Sequence, residues 1–219
     1  MNTSSKPRNS IKWTWARSSM LTGALVYLLT LCAGLKAGEI SQSVIQVQNQ
    51  AEPGSGFFLK VGSQIIFVTA KHVLGSSGEK VSLGLPDGSK LDIALKDQVP
   101  IDGIDSAVII IKGSSQVIIP LEASVKQLEP SQILSVWGFP VSDQSTSNRL
   151  ENRSGAYLGV PTSVQDGYSL LYGAQTQIGF SGGPILDQLG NVVGMHGRSE
   201  SIQSASGQST RTGKALGIP

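Results

Sequence analysis

From residue 40 onward the sequence sustains no helical period. It strings together short alternating or apolar runs separated by turn residues. "SVIQVQ" alternates from Ser43 to Gln48. "GFFLKVG" and "QIIFVTA" flank a Gly-Ser turn and read as a hairpin. "KVSLGLPDGSKLDIALKD" is two alternating runs about Pro86-Asp87-Gly88, residues that preset a turn. "DSAVIIIKG" and "ILSVWGFP" are buried runs, the second halted by a proline, and "GAYLGV", "YSLLYGA" and "KALGIP" supply further strands. Two polar stretches, "VSDQSTSNRLENRSG" and "SESIQSASGQSTRTG", read as surface loops. About a dozen short strands with no interleaved helices predict an all-β sandwich or pair of barrels. A division into halves falls near residues 120–132, within "EASVKQLEPSQ".

The first 37 residues are of another kind. Residues 1–17 carry Lys6, Arg8, Lys12 and Arg17 and no acid, and Ser18 to Leu35 carry no charge. A basic segment followed by an apolar stretch is the pattern of an export signal. The apolar stretch is slightly short for a membrane span of about 20 residues. Residues 1–37 are therefore expected to be a signal peptide or a retained N-terminal membrane anchor, and the protein to be exported: secreted, periplasmic or anchored through residues 18–35. Membrane contact is expected only if that segment is kept.

Residues 1–37 also hold five of the 17 basic residues and none of the 15 acids, so residues 38–219 carry twelve bases against fifteen acids, net −3. The basic character belongs to the leader, and no basic patch remains to bind nucleic acid. Cys32, the one cysteine, lies there too, so the domain offers no disulfide, cysteine nucleophile or thiolate metal site. A body of about 180 residues is large enough to be held by its core alone.

Three segments carry chemistry. His72 stands in "FVTAKHVL", directly after a strand, and taken alone such a histidine is more often structural than catalytic. Asp105 opens the apolar run "DSAVIII", at the mouth of a buried strand, where a carboxylate needs a hydrogen-bond partner. Asp102 competes for that role but precedes a glycine in a looser context, so Asp105 is preferred. Ser181 stands in "GFSGGP", where glycines at 179, 182 and 183 permit a tight backbone path aiming N–H groups inward. By itself this is equally a glycine-rich hairpin. Together the three complement one another. A serine hydroxyl needs a base, a neutral histidine is one, and a carboxylate fixes its tautomer and orientation. The order His72, Asp105, Ser181 is a known order for such a triad.

At this point the chain resembles the chymotrypsin-like (trypsin-like) serine peptidases, especially the disulfide-free bacterial branch of DegP/HtrA-like and glutamyl-endopeptidase-like enzymes. The matching pieces are "GSGFFL", "FVTAKHVL", "DSAVI", "VWGFP" and "GFSGGPI…GNVVGMHG", across residues 42–219. The resemblance is expected to extend to the peptidase domain alone, without a PDZ domain or a long C-terminal helix after "GIP". The resemblance implies two packed antiparallel six-stranded β-barrels over residues 38–219, with the active site in the cleft between them. It implies a serine endopeptidase acting on protein or peptide substrates without cofactor or metal. His72 would be general base and acid, Asp105 its orienter and Ser181 the nucleophile. The N–H groups of Gly179 and Ser181 would form the oxyanion hole.

The resemblance also places Gln175, Thr176 and His196 at the pocket for the residue before the cleaved bond. The "GMH" ending at His196 and Thr176, five residues before Ser181, are similar to the glutamyl endopeptidases. A hydroxyl and an imidazole can both donate to a carboxylate, and protonation adds charge, so a preference for Glu or Asp is expected. Neutral Gln175 argues against a Lys/Arg preference. Arg198 either assists or lies in solvent.

Two rivals remain. "GFSGG" also fits the nucleophile elbow of α/β-hydrolases, but that elbow needs a helix after the serine, and Pro184 leads into a strand-like run. An inactive protease-like binding module would usually have lost a triad residue. Nothing in the sequence fixes an oligomeric state.

Overall fold

The computed structural model describes residues 38–48, 53–75, 80–99, 101–112, 118–142, 145–146, 149–203 and 208–219. Residues 1–37, expected to be a signal peptide or anchor and including Cys32, lie outside them. Gly38–Pro219 forms one unit.

The N-terminal half is built on a sheet of six strands: β1 (Val44–Val47), β2 (Gly54–Val61), β3 (Gln64–Thr69), β6 (Gln98–Val99), β7 (Ala107–Ile110) and β8 (Leu121–Glu122). Its order is β1-β2-β3-β7-β6, with β8 parallel to β2. The hairpin β4 (Lys80–Gly84) and β5 (Lys90–Ala94) turns at Pro86–Gly88 as expected, and β4 packs beside β1. Phe57, Phe58, Phe67, Leu83, Ile93 and Ile109 fill the interior of this half.

The C-terminal half is a closed antiparallel barrel of β9 (Ile133–Gly138), β12 (Glu151–Gly159), β13 (Leu170–Tyr172), β14 (Pro184–Leu186), β15 (Val192–Gln203) and β16 (Ser209–Ile218). Along β9 the even-numbered Leu134, Val136 and Gly138 are buried, while the odd-numbered residues are not, the period-2 signature of a strand with one face inward. Leu134, Val136, Leu170, Tyr172, Phe180 and Ile185 make its core. A short hairpin, β10 (Val141–Ser142) and β11 (Ser145–Thr146), lies outside the barrel.

The chain is all-β, as its alternation predicts, and the two-lobed plan follows. Both polar stretches depart from the loop expectation. "SESIQSASGQSTRTG" mostly extends the β15–β16 hairpin, with Ser201 paired to Arg211 and Gln203 to Ser209. β12 begins at Glu151, inside the other stretch. Main-chain pairing holds these segments, so no hydrophobic face is needed and the alternation that flags a strand is missing.

Candidate active site

A single helical turn, Lys71–Leu74, follows β3 and carries His72. Val73 and Leu74 of this turn are buried and fix it, while the His72 side chain stays 33% exposed. Asp105 sits two residues before β7, the neighbour of β3, so strand pairing delivers both residues to the same edge. His72 Nδ1 pairs with Asp105 Oδ2 at 2.5 Å, and the His72 backbone N–H donates to Oδ1 at 3.0 Å. Lys71 N–H donates to the Asp105 carbonyl at 3.4 Å. Burial pushes the Asp105 carboxyl up, but hydrogen bonds from His72 and Tyr168, together with the His72 charge, outweigh it and hold the group below its usual value. Asp102 makes no such contact among the described bonds.

Tyr168 is the partner the sequence did not reveal. It comes from the other half of the molecule, and its hydroxyl donates a short hydrogen bond to Asp105 Oδ2. The Asp105 N–H donates to the Asp166 carbonyl at 2.9 Å.

Ser181 lies on the turn before β14. That turn is held against β15 by Gly182 N–H to the His196 carbonyl and His196 N–H to the Gly183 carbonyl, each 2.8 Å. The Ser181 hydroxyl donates to the Gly197 carbonyl at 2.9 Å. Gly179 and Gly182 have φ of +100° and +84°, in the region where a Cβ is penalised. Space is also denied: a Cβ on Gly179 would lie 2.1 Å from the Phe139 carbonyl oxygen, and one on Gly182 the same distance from that of Ser55.

The peptides around Gly179 are fixed on both sides. The Ile178 carbonyl accepts from Val141 N–H at 2.9 Å. In a trans peptide the N–H points opposite to the C=O, so this bond turns the Gly179 N–H to the other side. The Gly179 carbonyl accepts from Ser55 Oγ at 2.7 Å. Ser55 is fully buried in β2; its Oγ also accepts from Phe139 N–H at 2.9 Å, and its own N–H donates to the Ser181 carbonyl at 2.7 Å. One residue of the first half thereby ties together the Ser181 turn and the end of β9. "GSGFFL" contained this serine, but nothing in its pattern announced the role.

Gln175 and Thr176 line a cavity of about 500 Å³ together with Ser199, Arg153, Arg211 and Lys214. Thr176 Oγ1 and Ser199 Oγ are 3.0 Å apart. Glu151 and Glu200 pair with Arg153 at 2.8 Å and Lys214 at 3.8 Å, but neither acid lines the cavity. His196 does not line it either. Its imidazole is buried, with Nδ1 2.8 Å from the Tyr172 hydroxyl. Burial, helped by the charge of His72, brings it down to about 3. It is therefore neutral at ordinary pH and brings no positive charge, unlike the protonated imidazole considered from sequence. Arg198 lies over the Tyr168 ring, 4.5 Å from its centroid.

An all-β chain with a closed barrel beside a second sheet, a histidine–carboxylate pair at the ends of β3 and β7, and a glycine-bounded serine turn before β14 has the architecture of the chymotrypsin-like class. Residues 54–195 match the trypsin-like peptidase domain, and the chain belongs to that family of serine-type endopeptidases. Among solved structures it is similar to the inactive form of the Rv3671c protease, at 18% identity and TM-score 0.59, covering 86% of this chain and 88% of that one. It is likewise similar to an inactive serine-to-alanine mutant of Rv3671c from M. tuberculosis H37Rv, at 16% identity and TM-score 0.58, with 84% and 83% covered. At these identities the likeness is one of fold. Among curated proteins, none matches the chain.

Proposed function

We propose that this serine peptidase works through His72, Asp105 and Ser181, with the N–H groups of Gly179 and Ser181 as oxyanion donors. The observation that carries the reading is the 2.5 Å pairing of His72 Nδ1 with Asp105, which leaves Nε2 as the catalytic nitrogen. Ser181 Oγ rotates from the Gly197 carbonyl towards His72, gives it its proton and attacks the scissile carbonyl carbon. As the C=O π bond opens, negative charge forms on the substrate's carbonyl oxygen, and the two N–H groups meet it. His72 returns the proton to the leaving amine as the C–N bond breaks. Water, deprotonated by His72, then hydrolyses the Ser181 ester. A fluorophosphonate probe tests this: labelling of the wild type and not of Ser181→Ala is expected. An unlabelled wild type would favour the protease-like binding module.

The preference for Glu or Asp before the cleaved bond is part of the same reading. Its support is the cavity beside Thr176, whose wall among the described residues holds Arg153, Arg211 and Lys214, two hydroxyls and no acid. Cations and hydroxyl donors together are the groups that hold a carboxylate. Neutral His196 contributes no charge to it. A peptide-library cleavage profile enriched in Glu or Asp is expected, and a profile without that enrichment would end the idea. Export through residues 1–37 stands as a further part of the proposal, checked by N-terminal sequencing of the protein recovered from the producing cells.

A further inference from the structure

Asp105 receives more from its surroundings than the histidine it faces. Oδ1 takes the His72 backbone N–H, and Oδ2 takes both His72 Nδ1 and the Tyr168 hydroxyl. Tyr168 is buried, and its phenol is pushed up by burial and by the Asp105 carboxylate, so it stays protonated and can only donate to that acceptor. It stands two residues before β13, in the half of the molecule that carries Ser181, whereas His72 and Asp105 come from the other half.

The ring is placed by specific neighbours. Gly197 follows His196 on β15, and a Cβ there would lie 1.7 Å from Tyr168 Cε1. The space occupied by the phenol is therefore the space a side chain at 197 would need. Arg198 covers the ring and is 3.9 Å from Asp166, whose own carbonyl accepts the Asp105 N–H. The segment 166–168 thus holds Asp105 at its backbone and at its carboxylate. Gly197 links the arrangement to Ser181 directly, because its carbonyl accepts the Ser181 hydroxyl.

We infer that Tyr168 is a positioning residue for the reaction: its hydroxyl, admitted by the missing side chain at Gly197, fixes the Asp105 carboxylate across the junction of the two halves and so sets the orientation and basicity of His72. This rests on the triad reading above. With the phenol bonded to it, Oδ2 shares its charge between two donors. Without it, the whole charge faces the imidazole. Among the described residues, the other charged or titratable groups tied to the pair are Lys71, Asp166, His196 and Arg198, and removing one oxygen from the ring alters none of them.

Tyr168→Phe is the test, because it keeps the ring between Gly197 and Arg198. The expected result is a fall in kcat of about tenfold with KM nearly unchanged, the behaviour of an interaction made in the transition state. The acid limb of the kcat/KM profile should move to higher pH, since a carboxylate without the phenol favours the imidazolium. In an Asp105→Asn background the same substitution should add little, because the two act as one unit. Gly197→Ala, whose methyl displaces the ring, should reproduce the kcat loss and the pH shift. Wild-type kcat and an unmoved acid limb in Tyr168→Phe, beside an inactive Ser181→Ala, would overturn the assignment while leaving the triad reading intact. Wild-type turnover by Ser181→Ala would overturn both.

Discussion

Ser55 Oγ donates to the Gly179 carbonyl at 2.7 Å, so a residue of the first half fixes the peptide preceding Phe180 in the second. The same oxygen accepts the Phe139 N–H, and the bond from Val141 to Ile178 holds the peptide on the other side of Gly179. An N–H group aimed at a developing oxyanion is effective only if it does not have to reorient during the reaction. These bonds hold the Gly179 N–H, the proposed oxyanion donor, in place without help from substrate.

Ser55→Ala should therefore lower kcat by about tenfold or more, short of the 10²–10³ seen when an oxyanion donor is lost outright. KM should change little. Stability should fall by about 1–3 kcal/mol, because the Gly179 carbonyl and the Phe139 N–H lose a buried partner. Steady-state kinetics and thermal melts read the two effects separately.

The glycines of the serine turn are predicted to be unequal to those elsewhere. Gly182→Ala meets the Ser55 carbonyl oxygen at 2.1 Å from a backbone at φ +84°. Overpacking and left-handed strain together should cost about 3 kcal/mol or more. Gly84, in β4, has no atom within 4 Å of its would-be Cβ, and Gly84→Ala should be neutral or stabilise by about 0.5 kcal/mol. Denaturant midpoints of the two variants decide it.

His196 should make the fold sensitive to acid. Buried and neutral, it resists protonation until about pH 3, whereas in the unfolded chain it takes a proton near pH 6.5. Its contribution is complete above pH 6.5 and is lost as pH falls from there towards 3, because only the unfolded state binds the proton. Asp105, whose pKa is lowered on folding, adds a loss below about pH 4. The melting temperature should fall through the upper window, and His196→Gln should flatten that fall without removing the one below pH 4.

The cationic cavity wall gives a prediction about substrate. Arg211→Gln with Lys214→Gln should lower kcat/KM for a Glu substrate by about tenfold and leave a Gln substrate nearly unaffected. The difference should shrink at high salt, since these side chains are exposed to solvent. Equal losses on both substrates would argue that the cavity does not read charge.

The strands and the members of the site were legible to different degrees. Alternation in "SVIQVQ", the hairpin signal of "GFFLKVG" and "QIIFVTA", and the buried run "ILSVWG" exposed strands, and Pro86-Asp87-Gly88 announced its own turn. The β15–β16 extension could not be read, because a hairpin with two polar faces leaves no periodic trace. The candidate residues His72, Asp105 and Ser181 were found because each sits in a local pattern, a strand end or a glycine turn.

Local sequence thus determined the all-β class, the turn around Ser181 and the neutral character of Gln175. Only the tertiary structure decided that Asp105 is held by Tyr168, that Ser55 fixes Gly179, and that Arg153, Arg211 and Lys214 share a cavity with Thr176. Propensity and hydrophobic period act over a few residues, so they leave a mark in the sequence. Tyr168 and Asp105 are 63 residues apart, and Ser55 and Gly179 are 124. Contacts at such separations depend on how the two halves close on each other, and no short pattern records that.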